Sequence, residues 1–368
     1  MVDERYLKYE EKVIYNLRSL YGSYGYLPYK MSKFEEYELY LKNKDFLVSD
    51  SVITFNDTNG KLLALKPDVT LSIIKNGQDE KGTKQKVYYS ENVYRISGST
   101  RQFKEIMQTG LECIGDIDLY DTFEVISLAC ASLKTISNDY VIEISHLGIL
   151  SALLDSISTS EEFKAEIMEC IKQKNAHEIK KLCRDYSVSN EKADILCEFV
   201  AIYGDSDKVI EKLCQMCIND DFNNSVEELK SLIALIKKTE YSSKIRLDFS
   251  IVNDMNYYNG IVFNGFINGV CETVLFGGRY DKLLNKMGRG LGGIGFAVYV
   301  DLLEGLSTEA RGYDVDVLIL YKEGICIEKL SETVGTYVQK GLSVTAQKSI
   351  PSKMRYKELV DLTGEENQ

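Results

Sequence analysis

Apolar residues recur every three or four positions from Tyr6 to Leu20, which predicts an amphipathic helix closed by Gly22 and Gly25. VITFNDTNGKLLALKPDVT reads as two strands around a turn at Asn56 to Gly60, with Asn59-Gly60 as the signal. KQKVYYSENVYRI predicts a strand, and FKEIMQTGLECIGDI a second in which apolar positions alternate only roughly. LYDTFEVISLACASLKTIS has helical spacing, and YVIEISHL that of a short strand. From about Leu150 to Tyr241 the text turns helical and rich in Lys and Glu. Strand text resumes at KIRLDFSIV, continues through YYNGIVFNGFI and GVCETVLF, and ends in a glycine-rich turn. GIGFAVYVDLLEGL reads as a final helix.

The pattern implies an α+β protein with a mixed, mainly antiparallel sheet flanked by helices, because hairpin-length links dominate. The expected core is residues 1–149 with 242–310, interrupted by a helical insertion at 150–241. Residues 311–368 form a tail with one β-α-β piece: YDVDVLILY, CIEKLSETVGTYVQKG and LSVTAQ. Alone, the tail is too short for a convincing domain and is expected to dock or be only partly ordered.

Composition narrows the function classes. The 368 residues carry 44 Lys+Arg against 56 Asp+Glu, a formal net charge of −12. That balance argues against a generic nucleic-acid binder, whose affinity rests on neutralising phosphates. No 18-residue apolar run suggests a membrane span, and MVDERYLKYEEKV lacks the apolar centre of a signal peptide, so a cytoplasmic protein is expected. Most of the nine cysteines sit in apolar helical text such as LACASL and ILCEFV and read as buried free thiols. Cys214 and Cys217 have CxxC spacing but no second pair, and His146 and His177 are the only histidines, so no metal site is expected. Gly290, Gly292 and Gly295 match GxGxxG, but KLLNKMGR before them is not a good strand, and no dinucleotide or other cofactor is read from them.

A few polar positions stand out. Asp68 and Thr70, read on one strand face, can together take an ammonium group; the plainer reading of Asp68 is a turn residue beside Pro67. Arg95, Arg101 and Lys104 flank the loop ISGST and form either an anion cradle or a solvated loop. Gln108 and Glu112 share a strand face with Gly110 between them, an arrangement that lets a ligand approach the backbone. Buried, the two polar groups need partners, supplied by a ligand or by a structural network. Tyr257 and Tyr258 point opposite ways on a strand, so at most one lines a pocket. Arg279 and Asp281 in GGRYD are a second anion-site candidate or a turn salt bridge. His146 reads as structural, closing a short strand. No histidine stands beside a nucleophile, and neither a nucleophile elbow nor a phosphate loop occurs. These residues describe a polar small-molecule pocket without an obvious catalyst.

ALKPDVT, VYRISGSTRQFKEIMQTGLECIG, YYNGIVF, FGGRYDKLL and GGIGFAVYVDLL recur in an order that resembles the class II aminoacyl-tRNA synthetase fold, specifically its histidyl branch, over about residues 5–305. The resemblance implies that Asp68 and Thr70 hold an amino acid's ammonium and that Gln108 and Glu112 contact the amino acid, Glu112 reading an imidazole. It also places Tyr258 against the ring.

Departures from that pattern bear on activity. Asn253 stands where the synthetases carry an arginine for the amino acid's carboxylate, Leu302 where a closing-motif arginine meets ATP, and Ile96-Ser97 follow Arg95 in place of Glu-Arg-Pro. Losing one preorganised donor to developing charge costs about 2.7–4 kcal/mol, so two lost cations should cripple adenylation. The tail also looks like only a fragment of an anticodon-binding domain.

The combination resembles the ATP phosphoribosyltransferase regulatory subunits, synthetase paralogues that charge no tRNA. It implies a non-enzymatic chain partnered with a short-form catalytic subunit in the first step of histidine biosynthesis. A hetero-octamer, a homodimer through the core and histidine as feedback effector are further implications. Phe34 to Glu36 resemble the first class II motif, although Met31 and Ser32 stand where a proline is expected. The alternatives are a synthetase-like protein with residual amino acid activation, an amino acid sensor for another partner, and a ligase for a substrate other than tRNA.

Overall fold

The structure is a computed structural model that describes residues 7–44, 47, 52–77, 82–96, 102–252, 257–306 and 312–364. It opens with helix α1 (Tyr9–Ser23), strands β1 (Leu27–Pro28) and β2 (Phe34–Glu36), and helix α2 (Tyr37–Lys42). The hairpin β3 (Thr54–Asn56) and β4 (Leu62–Leu65) turns at Gly60, whose φ of +79° suits glycine. Helix α3 (Thr70–Asn76) follows, then the long strands β5 (Gln85–Ile96) and β6 (Phe103–Gly115), helix α4 (Leu119–Ile136) and strand β7 (Tyr140–His146).

Helices α5 (Leu147–Ile157), α6 (Glu161–Lys172), α7 (Ala176–Asp185) and α8 (Asn190–Val200) come next. They are followed by the two-residue strand β8 (Tyr203–Gly204), α9 (Ser206–Met216) and α10 (Asp220–Ile236). Ser160, Ser189, Asn175, Asp205 and Asn219 each accept a backbone N–H at the start of one of these helices. Such caps define helix starts that short polar residues can signal in sequence. The chain then returns through β9 (Ile245–Asp248), β10 (Ile261–Ile267), β11 (Leu275–Arg279), α11 (Asp281–Lys286) and β12 (Gly292–Tyr299).

The main sheet has the order β1-β5-β6-β12-β11-β10-β7-β9-β8. Its central pairings, from β5 to β7, are antiparallel, whereas β1/β5 and β7/β9 are parallel. Strand alternation divides its two faces. Leu111 and Cys113 of β6 and Ile294, Phe296 and Val298 of β12 join one core with Leu17 of α1 and Val125 and Leu133 of α4. Many buried apolar residues of α5 to α10, among them Phe163, Leu196, Phe199 and Phe222, belong to that same core. Val87, Tyr89 and Val93 of β5 and Ile114 of β6 pack on the opposite face with Leu71 and Ile73 of α3 and Leu283 and Leu284 of α11. Gln108, Gly110 and Glu112 share the parity of Ile114 and therefore face this second side.

Two sequence readings change here. GIGFAVYV is strand β12, not helix, and Gly292–Tyr299 pairs on both edges, with β11 and with β6. A central strand buried on both faces has apolar residues at nearly every position, which obscures its period in sequence. The glycines before it lead into this strand, and Gly277 and Gly278 lie inside β11 rather than in a turn.

The chain divides into two compact units, Met1–Leu306 and Ser307–Gln368. The second contains β13 (Val315–Leu320), α12 (Ile327–Gln339), β14 (Val344–Gln347) and β15 (Tyr356–Asp361), the last missed in sequence. Its three strands form a parallel sheet in the order β14-β13-β15 around a core of Val317, Ile319 and Leu362. Thus the tail has its own packed centre and is more than one β-α-β piece.

Candidate functional site

A cavity of about 360 Å³ opens on the second face of the main sheet. Six sequence-predicted residues line it together: Asp68, Thr70, Gln108, Glu112, Tyr257 and Tyr258. Arg95 lines it as well.

Glu112 is the buried centre of the site. Thr70 Oγ1 donates to its Oε1 at 2.6 Å, and the Tyr280 hydroxyl donates to its Oε2 at 2.6 Å. Burial nevertheless pushes the carboxyl up to about 8, because desolvation outweighs those two bonds and Asp68 adds like charge. Gly295 is its register partner on β12, and a Cβ there would overlap the carboxyl oxygen. A strand must therefore offer glycine at this point for Glu112 to stand where it does.

Asp68 and Thr70 reach the cavity by a different route from the predicted strand. Strand β4 ends at Leu65, and Thr70 begins α3. Asp68 Oδ1 accepts the Leu71 N–H at 2.9 Å, so it tethers the helix start as well as lining the cavity. Burial raises its pKa, while that backbone bond and the Arg95 charge oppose the rise. Behind it, the fully buried Lys66 places Nζ 2.5 Å from Glu91 of β5.

Tyr257 and Tyr258 both line the cavity, contrary to the sequence reading. Neither is in a strand, since β10 starts at Ile261, so two-fold alternation does not apply. Their ring centroids lie 4.6 Å apart at 58°. A Cβ on Gly278 would come within 2.7 Å of the Tyr258 ring, which accounts for glycine at that point of FGGRYD. Gly110 plays another part than expected. A Cβ there would stand 2.8 Å from the Tyr89 hydroxyl and closer still to the Phe296 carbonyl, so protein atoms already fill the space over it.

The cationic candidates separate. Arg95 donates from Nε to the Pro67 carbonyl at 2.9 Å and from Nη1 to the Tyr299 hydroxyl at 3.1 Å. Lys104 is exposed and Arg279 is not in the cavity wall. The Arg279 guanidinium instead meets Asp281 at 2.8 Å and Glu228 of α10 at 3.9 Å, so it ties α10 and the start of α11 to β11. Arg101, Ser97 and Asn253 lie outside the described residues. Leu302 is half-buried in the 3-10 turn Val300–Leu306 and is not in the wall. His146 ends β7 and accepts the Ile149 N–H of α5 at 3.4 Å, with Nε2 3.4 Å from Glu228. The His146 ring, with Arg279 beyond it, holds the Glu228 carboxyl below its usual range.

Sequence reasoning missed Tyr89, Tyr280, Tyr299 and Lys172, which also line the cavity. Gly295, Ala297 and Tyr299 form one face of β12, a signal that assigning this segment to helix had hidden. Tyr89 stands opposite Gly110 on β5. Lys172, the last residue of α6, comes from the helical insertion, where nothing in the local pattern distinguishes it from other surface lysines.

The wall thus presents two carboxyl groups, Asp68 and Glu112, two cations, Arg95 and Lys172, an amide from Gln108 and a group of tyrosines. It suits a small zwitterion with a polar ring.

Residues 2–303 match the family model of histidyl-tRNA synthetase. An ATP phosphoribosyltransferase regulatory subunit from Caldanaerobacter subterraneus subsp. tengcongensis is 30% identical over 315 residues, covering 83% of this chain and 82% of the relative. The chain belongs to this histidyl-tRNA synthetase family, among its ATP phosphoribosyltransferase regulatory subunits. Structures with the same fold include an ATP phosphoribosyltransferase regulatory subunit/histidyl-tRNA synthetase from Bacillus halodurans, with a TM-score of 0.81 and 24% identity over 96% of this chain and 94% of that one. The ATP phosphoribosyl transferase (HisG:HisZ) complex from Thermotoga maritima has a chain with a TM-score of 0.63 and 20% identity, covering 79% of this chain and 97% of that one. Membership in the regulatory-subunit family fits a cavity built on the class II core, with Asp68, Glu112 and Tyr258 gathered in it.

Proposed function

We propose that the chain is the regulatory, non-catalytic subunit of an ATP phosphoribosyltransferase in histidine biosynthesis. The partner subunit joins ATP to phosphoribosyl pyrophosphate, and this chain supplies control. The observation that carries this reading is the 30% identity to a regulatory subunit across most of both chains.

The cavity is the histidine site in this reading. Asp68 and Thr70 receive the ammonium, with Gln108 beside them. Glu112, fixed by Thr70 and Tyr280, meets the imidazole, and the rings of Tyr257 and Tyr258 pack against it. Histidine bound here biases the assembly between states of different activity. Reciprocal linkage then requires substrates on the partner to alter histidine affinity here.

The assembly is a cytoplasmic hetero-octamer containing dimers of this chain. Phe34, Phe55 and Leu62 are exposed on the small antiparallel sheet β2-β4-β3, and the two phenylalanine rings meet at 5.7 Å. This apolar patch supports pairing through the core. No helix of the described residues is long and apolar enough to cross a membrane.

Calorimetric titration of the assembled complex with histidine tests the site, and saturable binding is expected. An absence of binding at physiological histidine concentrations would remove the effector role. A histidine-dependent ATP–pyrophosphate exchange assay on the same chain is expected to read zero; measurable exchange would favour the alternative of residual amino acid activation.

A further inference from the structure

One contributor to the cavity wall comes from the helical insertion. Lys172 is the final residue of α6, in the helical stretch between β7 and β9, yet it lines the same cavity as Asp68 and Glu112. Its position is held from both sides. Two residues later, Lys174 adopts a left-handed conformation, with φ of 53°, where α6 gives way to α7. Lys174 Nζ then pairs with Asp248 of β9 at 2.6 Å and lies 4.5 Å from the centre of the Tyr203 ring. On the other side, α6 buries Phe163, Ile167, Cys170 and Ile171. The helix end is therefore anchored while the Lys172 side chain is 62% exposed and has a weak acidic neighbour in Glu169, at 3.8 Å.

The charges in the wall set a requirement. An amino acid places an ammonium and a carboxylate on the same carbon. Asp68 and Glu112 serve cationic or donor groups, but a carboxylate needs a cation. Arg95 is committed in part, with Nε on a backbone carbonyl and Nη1 on Tyr299. Lys172 is a flexible point charge whose pairing with Glu169 is loose enough to exchange.

We propose that Lys172 recognises the carboxylate of the amino acid bound in the cavity, so that the helical insertion closes the site by a charge-assisted contact. The inference rests on the reading of the cavity as a histidine site. It gives the insertion a defined part in that site: the anchored end of α6 presents the Lys172 ammonium to the ligand, and the Lys174–Asp248 pair ties that end to β9.

The test compares L-histidine with histidinol, in which a hydroxymethyl group replaces the carboxylate, by calorimetric titration of the full chain. Lys172→Gln is expected to weaken histidine binding about tenfold, the size of one charge-assisted contact at a partly solvated site. Histidinol affinity should stay within about twofold under the same substitution, because the lost contact is one that histidinol never makes. Lys172→Arg should restore most of the preference for histidine. Since Lys172 is exposed, the substitutions are expected to leave the circular dichroism spectrum and the unfolding midpoint unchanged. Histidine affinity equal in the wild type and Lys172→Gln, or equal losses for both ligands, would overturn the role of Lys172 while leaving the histidine site standing. If the wild type bound neither ligand, the reading of the cavity would fall and this inference with it.

Discussion

Glu112 sets the chemistry of the cavity by being half-committed to a proton. Its carboxyl is raised from 4.5 to about 8 by burial, so near neutral pH the empty site holds the acid rather than the ion. Free imidazole loses its proton near pH 6.5. A Glu112–imidazole contact with one shared proton thus forms from neutral partners between those values without net proton exchange. Below about pH 6.5 the ligand arrives with a proton that the contact must shed; above about 8 one must be taken up. Histidine affinity is predicted to plateau between these limits and to weaken on both sides, and Glu112→Gln should remove the part of the alkaline limb that Glu112 sets, leaving the part due to loss of the ligand's ammonium. Titrations from pH 5.5 to 9.5 would check this.

The same shift affects stability. Because the folded carboxyl binds its proton more tightly than the unfolded one, its contribution is fully present below about pH 4.5 and is lost as pH rises through about 8. Urea unfolding of Glu112→Gln should show less loss of stability than the wild type across that window. Lys66 matters to stability as one half of a charge pair. Lys66→Met leaves Glu91 without its partner and should destabilise by about 3 kcal/mol, measured in the same way.

At the scale of elements, the site depends on two adjacent strands that present gaps where side chains would normally stand. Gly278 of β11 admits the Tyr258 ring and Gly295 of β12 admits the Glu112 carboxyl. Gly295→Ala should abolish binding in the cavity and lower the unfolding midpoint, since its methyl would displace a buried carboxyl. Helix α4, which underlies the sheet, is fixed at its start by Asp118, whose side chain accepts the Asp121 N–H at 3.0 Å while the Asp118 N–H donates to Asp121 Oδ2 at 2.9 Å. Asp118→Ala is expected to cost about 1 kcal/mol in urea unfolding.

These elements also mark how far the sequence could be read. Strand β5 and helix α4 were legible from their patterns, β6 alternated only roughly, and the shared parity of Gln108 and Glu112 correctly put them on one face. Strand β12 was hidden because both its faces are buried, and with it went Tyr299. Asp68 was placed on a strand although the chain turns into α3 at Thr70, a change that Pro67 nearby could have suggested. Lys172 was beyond reach, since only the path of the insertion brings it to the cavity.

For the whole molecule, the described residues of the cavity wall all belong to the unit ending at Leu306. A chain truncated after that residue is therefore expected to unfold cooperatively and to keep the proposed histidine affinity within about twofold, as its contacts are unchanged. Replacing Phe55 with Glu on the exposed small sheet should shift sedimentation toward a single copy if that face pairs the chains as proposed, and leave the cavity intact. Control of a separate catalytic subunit is the claim on which these parts converge. Its most direct measurement is reconstitution: phosphoribosyl-ATP formation by a short-form catalytic subunit, assayed with and without this chain and with and without histidine. The account predicts activity that depends on adding the chain and falls when histidine is added. Catalytic activity indifferent to the chain would contradict it.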